Sequence, residues 1–141
     1  MTPKNFLLVG GIVLVLVGIL GFYLIGPTAA DSIFGTSWWF DSGENWVHLI
    51  LGVVAVILSF AAPMAIQRPV VMIVGIIAVL IGLYSIFKTD FLGANLENPS
   101  DTILHIVVGI WAILSLKGKS LEMNSMGGGM GGGMGNPQMP A

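Results

Sequence analysis

Four stretches of the chain are almost free of polar residues, and short polar segments separate them. The first runs from Phe6 to Ile25 without a charge. A helix rising 1.5 Å per residue needs about 20 apolar residues to cross a hydrocarbon core, and this run is long enough. The second, Trp46 to Ile66, is interrupted only by His48, Ser59 and Pro63, and the third is Val70 to Phe87. The fourth, Ile103 to Leu116, is shorter, a length more typical of a re-entrant or buried helix. Pro99-Ser100-Asp101 supplies a helix-start signal ahead of it. Lys117 and Lys119 can snorkel at its other end. Counted from Ser100 to Lys117 it reaches about 27 Å, close to the hydrocarbon thickness. The pattern predicts an all-α fold, a polytopic membrane four-helix bundle with helices at about 6–25, 46–66, 70–87 and 100–117 in a transmembrane domain over 1–119. The short segment Gln67-Arg68-Pro69 is expected to be the turn that makes helices 2 and 3 antiparallel neighbours.

Composition strengthens this picture. Hydrophobic residues make up 55% and charged residues 9% of the 141 positions, and the mean hydropathy is +0.94. A soluble domain carries roughly 25% charged residues to keep its surface hydrated, so lipid is the expected solvent. A net charge of -2 with no basic patch argues against nucleic acid. Cysteine is absent, which excludes disulfides, thiolate metal sites and Cys nucleophiles.

Charge also orients the chain. Lys4, Arg68, Lys117 and Lys119 fall in the N-terminus, the loop after helix 2 and the C-terminal tail, which alternation of four spans puts on one side. Asp31, Asp41, Glu44, Asp90, Glu97 and Asp101 fall on the other, with Lys88 as the basic exception. The Lys/Arg bias predicts a multi-pass plasma-membrane protein with both termini cytoplasmic. A cleaved signal ending near Thr28-Ala29-Ala30 is the rival reading of the first run.

An internal repeat argues for retaining that helix. Gly11-Ile-Val-Leu-Val-Leu-Val-Gly18 in helix 1 matches Gly75-Ile-Ile-Ala-Val-Leu-Ile-Gly82 in helix 3. Helices 2 and 4 share the skeleton acid-x3-His-x3-Gly-x2-Ala, as Glu44, His48, Gly52, Ala55 and as Asp101, His105, Gly109, Ala112. The chain is therefore expected to be two tandem transmembrane hairpins, a parallel repeat about an axis along the membrane normal. Such a repeat sets His48 and His105 at equal depth near the outer surface. Gly52, Ala55, Gly109 and Ala112 are the expected helix-packing residues, allowing close approach of helices 2 and 4.

Those two segments also hold the candidate chemistry. Glu44 and His48, like Asp101 and His105, are four apart and share a helix face. If the helices face each other, two carboxylates and two imidazoles converge, a set suited to Zn, Fe or Cu. The alternatives are histidines bonded to their own acids or to a loop, or proton and ion handling. Metal or haem is therefore an open cofactor class, and none is required. Trp38-Trp39-Phe40 is expected to form an interfacial aromatic belt. Residues 120–141 contain Met126-Gly-Gly-Gly-Met130-Gly-Gly-Gly-Met134, too glycine-rich to hold a fold, and are expected to be disordered. No phosphate-binding Gly loop or nucleophile–base arrangement is present.

At Asn45-Trp-Val-His48-Leu-Ile-Leu-Gly52 and Asp101-Thr-Ile-Leu-His105-Ile-Val-Val-Gly109 the chain resembles the small prokaryotic four-helix membrane proteins grouped as domain of unknown function 4383. The resemblance covers roughly Phe6 to Leu116. It implies a four-span bundle in the plasma membrane and no particular activity. Members of that group often carry His-Asn where Glu44-Asn45 stands and Asn-Trp where Thr102-Ile103 stands, so the resemblance carries over no two-metal site. The expected role is a non-enzymatic scaffold, partner subunit or envelope component, in contact with the lipid bilayer and another membrane protein or a second copy. The alternatives are a metal- or haem-binding redox accessory and a small transporter or proton-conducting module.

Overall fold

The computed structural model of the chain describes residues 1–118. The Gly/Met-rich tail and its expected disorder, with Lys119, lie outside them. The described residues form four helices: α1 (Pro3–Tyr23), α2 (Ser42–Ala61), α3 (Met64–Ser85) and α4 (Ser100–Ser115). A 3-10 turn at Gly35–Ser37 sits in the first long loop, and a two-stranded antiparallel hairpin, β1 (Asp90–Phe91) with β2 (Ala94–Asn95), in the second. α1, α2 and α3 are long and apolar enough to cross a membrane, and α4 is a shorter apolar helix.

Local chemistry sets the helix ends, and it moves them from where hydropathy alone puts them. α1 begins at Pro3 because Thr2 accepts from the Asn5 N–H at 3.3 Å and proline suits the first helical position. α2 begins at Ser42, ahead of its apolar run, because Asp41 and Glu44 form a capping box. The Glu44 N–H donates to Asp41 Oδ1 at 2.9 Å, and the Asp41 N–H donates to Glu44 Oε2 at 3.3 Å. α2 ends at Ala61 rather than Ile66, since Pro63 cannot continue it and instead caps α3.

The turn between α2 and α3 is thus at Ala62–Pro63. Gln67-Arg68-Pro69, expected to be the turn, lies inside the first turns of α3. Gln67 is buried there, and its Nε2 lies 3.1, 3.2 and 2.9 Å from the carbonyl oxygens of Leu58, Ser59 and Ala62. One amide from α3 therefore serves carbonyls that the end of α2 leaves open.

Each hairpin packs on itself. α1 lies along α2 and α3 along α4, whereas α2 and α3, despite their short turn, do not pack along each other. The small residues explain this. A carbon added at Gly52 would meet Val15 N at 2.6 Å, and one at Gly11 would meet Gly52 O at 2.9 Å. In the second hairpin a carbon at Gly109 would meet Val79 Cγ2 at 2.6 Å, and one at Gly75 would meet Ala112 Cβ at 3.0 Å. Gly52 and Gly109 therefore seat α2 on α1 and α4 on α3. They do not draw α2 and α4 together, as the repeat alone suggested, because the face they clear is already filled within each hairpin.

The hairpins meet at both ends. At the end holding the start of α1 and the end of α4, Phe6, Leu7, Val71 and Ala112 form a buried cluster with Ala55 packed against it. Phe6 meets Trp111 edge to face at 4.8 Å, and Arg68 donates to the Leu116 carbonyl at 3.2 Å. Most other large apolar side chains of the helices, such as Leu16, Ile50, Leu80 and Val107, are exposed. That surface matches a hydrocarbon solvent, where every helical backbone group is satisfied internally.

Candidate functional site: a loop-capped cavity between the hairpins

At the end opposite the chain termini the two long loops lock together. In the first loop, Ser32 Oγ donates to the Trp38 carbonyl at 2.7 Å and the Phe40 N–H donates to the Ile25 carbonyl at 2.9 Å. These bonds fold Trp38 and Phe40 inward, their rings 5.3 Å apart and steeply tilted. Phe40 is only 2% exposed. The expected belt therefore acts at Phe40 as a plug, because the loop's own backbone bonds turn it toward the helices.

Carboxylates tie this loop to the second hairpin. Asp101, fully buried, accepts from the Trp38 indole N–H at 3.2 Å and from the Glu97 N–H at 2.7 Å. Glu97 accepts from the Trp39 N–H at 3.2 Å and from the Asn95 side-chain amide. Asp41 Oδ2 accepts from the Asn95 N–H at 2.7 Å, and Ser100 Oγ donates to the Ser37 carbonyl at 3.0 Å. Burial raises the Glu97 carboxyl above the ordinary glutamate range, with the Asp101 and Asp41 charges adding to the rise. The bonds from Asn95 and Trp39 oppose that rise without cancelling it. Glu97, Trp38 and Asn95 carry this junction, and spacing could not reveal them because partners about sixty positions apart leave no local pattern.

The four residues expected to converge divide into two kinds. Glu44 caps its own helix and Asp101 holds the loops. Neither histidine bonds its neighbouring carboxylate. His105 Nδ1 lies 2.8 Å from the Asp101 backbone carbonyl, so its N–H donates there, and His48 Nδ1 is buried without a partner. Among the described residues no group of three or more His, Asp and Glu side chains is placed to hold a metal ion. Both carboxylates are already committed to helix and loop N–H groups.

What His48 and His105 share is a cavity. It has a volume of about 290 Å³ and lies between the hairpins, with Trp38, Phe40, His48, Asp101 and His105 at its loop end. The rest of its wall is apolar, with Leu14, Val74, Leu104 and Val108 among the side chains that close it. Gly10 lines it too, and a carbon added there would meet only Phe6 and Trp111, each at 3.9 Å. Close by, Asn45 is fully buried with both side-chain polar atoms unpartnered, pressed against Gly21. In the other hairpin Ser85 and Thr102 share a hydrogen bond of 2.5 Å.

No family model matches the chain, and neither a curated protein nor a solved structure matches it.

Proposed function

We propose that the chain is a plasma-membrane bundle of two tandem helical hairpins, crossing four times with both termini cytoplasmic, and that its role is that of a non-enzymatic scaffold or partner subunit. The observation that carries the functional part is where the polar side chains are spent. Asp41, Glu97 and Asp101 accept from backbone N–H groups, an amide and an indole, and so fasten the loops that hold the hairpins together, while Glu44 accepts from the Asp41 N–H in the cap of α2. A side chain committed in this way is a structural fastener rather than a free acid, base or ligand.

The duplication is supported contact by contact. Gly11, Val15 and Gly18 meet Gly52 and Leu49, while Gly75, Val79 and Gly82 meet Gly109 and Ile106, the residues that align with them in the sequence repeat. Crossing by α4 is supported by its seating on α3 along its length, from Ser85–Thr102 at one end to Gly75–Ala112 toward the other. A helix flush with a spanning helix occupies the same slab, and at about 24 Å it falls short of a typical core by an amount that snorkelling or local thinning accommodates. Kinship with the group named as domain of unknown function 4383 remains part of the proposal and rests on the two His-x3-Gly elements.

Metal and haem analysis of the purified full chain tests this role against a redox accessory. Substoichiometric metal and no haem absorbance are expected. A stoichiometric metal lost from both His48→Ala and His105→Ala would overturn it, and protein-dependent ion flux in proteoliposomes would favour a transporter instead.

A further inference from the structure

The cavity between the hairpins has two unlike ends. Toward the chain termini it is walled by aliphatic side chains and by the Phe6 and Trp111 rings. At the loop end it meets Trp38, Phe40 and two imidazoles. α2 and α4 do not pack along each other, and Leu51 and Leu104, which line the cavity from those helices, are substantially exposed. The cavity therefore opens sideways at the level of the apolar surface, which makes lipid the source of whatever enters it.

We propose that this cavity binds a neutral prenylated quinone, with its carbonyl-bearing ring at the histidine end and its tail leaving between α2 and α4. The inference rests on the membrane reading above and deepens it by naming a ligand. Each part of the ligand answers an observation. The apolar wall and side opening suit an isoprenoid tail. The Trp38 indole, half-buried at this end, offers an aromatic surface to a flat ring. The His48 imidazole lines this end, and a ring N–H facing the cavity can donate to a ring carbonyl.

Charge selects against the obvious competitors. Among the described residues no lysine or arginine lines the cavity. A carboxylate or phosphate head would bury an unpaired charge there with no cation to replace its hydration, which is strongly disfavoured. A neutral carbonyl head would not. The volume lies near the lower end of small-molecule sites, which fits one ring and the first part of a tail rather than a whole two-chain lipid.

Gly10 provides the test, because it is a helix glycine with room for a side chain. Gly10→Leu fills the cavity without driving helices apart. His48→Leu removes the donor and leaves the cavity. The full chain in phosphatidylcholine nanodiscs is titrated with a benzoquinone bearing one isoprene unit, and tryptophan quenching is read, since Trp38 and Trp111 line the site. Saturable quenching is expected in the wild type, with affinity lowered roughly tenfold or more in each variant at unchanged thermal stability. The corresponding prenylated benzene without ring oxygens should bind at least about tenfold more weakly.

Linear, unsaturable quenching of the wild type would overturn the proposal whatever the variants do. So would equal affinity in Gly10→Leu, equal binding of the oxygen-free analogue, or tighter binding of oleate. Cysteine labelling of the same preparation reports the membrane topology independently. A failed titration with intact topology therefore sinks the ligand and leaves the bundle standing.

Discussion

Gly52 and Gly109 sit where a single added carbon meets the neighbouring helix, one at Val15 N and the other at Val79 Cγ2, both at 2.6 Å. Alanine at either site should destabilise the protein by about 1–3 kcal/mol, as overpacking generally does. Thermal unfolding in detergent checks this. Loss at one site only would break the equivalence of the hairpins. Gln67→Leu removes the amide shared by three carbonyls at the end of α2 and should cost about 1–3 kcal/mol. Glu97 makes a pH statement. Its folded carboxyl keeps its proton to higher pH than an unfolded one. Its contribution to stability is thus full below the ordinary glutamate range and lost as pH rises through the raised value. Stability should fall as pH rises above the ordinary glutamate range, and Glu97→Gln should flatten that fall. The glycine spacing was legible in the sequence. The identity of the helix each glycine receives was not, because a small residue marks an approach without naming the partner. Gln67 gave no signal, since a buried amide and a solvated one read alike.

Among the elements, α2 shows what hydropathy can and cannot place. Its apolar run fixed its existence, but its start is set by the Asp41–Glu44 capping box and its end by Pro63. Both signals are present in the sequence, yet the apolar pattern overran them. Asp41 does more than cap. Its second oxygen takes the Asn95 N–H at 2.7 Å, tying α2 to the second outer loop. Asp41→Ala should therefore cost more than the about 0.5–2 kcal/mol typical of a lost cap, with Asn95 and its neighbours exchanging amide hydrogens faster. Slow exchange there in Asp41→Ala would show that the loops hold without this tie. α4 is the element whose pattern was weakest and whose packing is most informative. Its apolar run is short, and its fit along α3 adds a structural argument to the start signal and flanking lysines read from the sequence.

For the whole molecule, two self-packed hairpins are pinned at the termini end by Phe6, Leu7, Val71 and Ala112 and at the loop end by the Asp101 and Glu97 bonds. A cavity of about 290 Å³ remains between the pins. The number and nature of the helices could be read from the apolar pattern, and the two histidines were legible as a pair. The loop junction and the cavity were not, because both depend on contacts between distant segments. The central claim is that the described helices, α4 included, cross the membrane so that both long loops lie outside and both termini inside. The chain has no cysteine, so single cysteines can map this directly. Placed at Ser37, Ala65, Thr89 and after Ala141, they are exposed to a membrane-impermeant maleimide on intact cells and again after permeabilisation. The expected result is labelling at positions 37 and 89 on intact cells, and at 65 and after 141 only once the membrane is opened. Labelling after Ala141 on intact cells, with Ala65 still protected, would mean that α4 does not cross and would contradict the account.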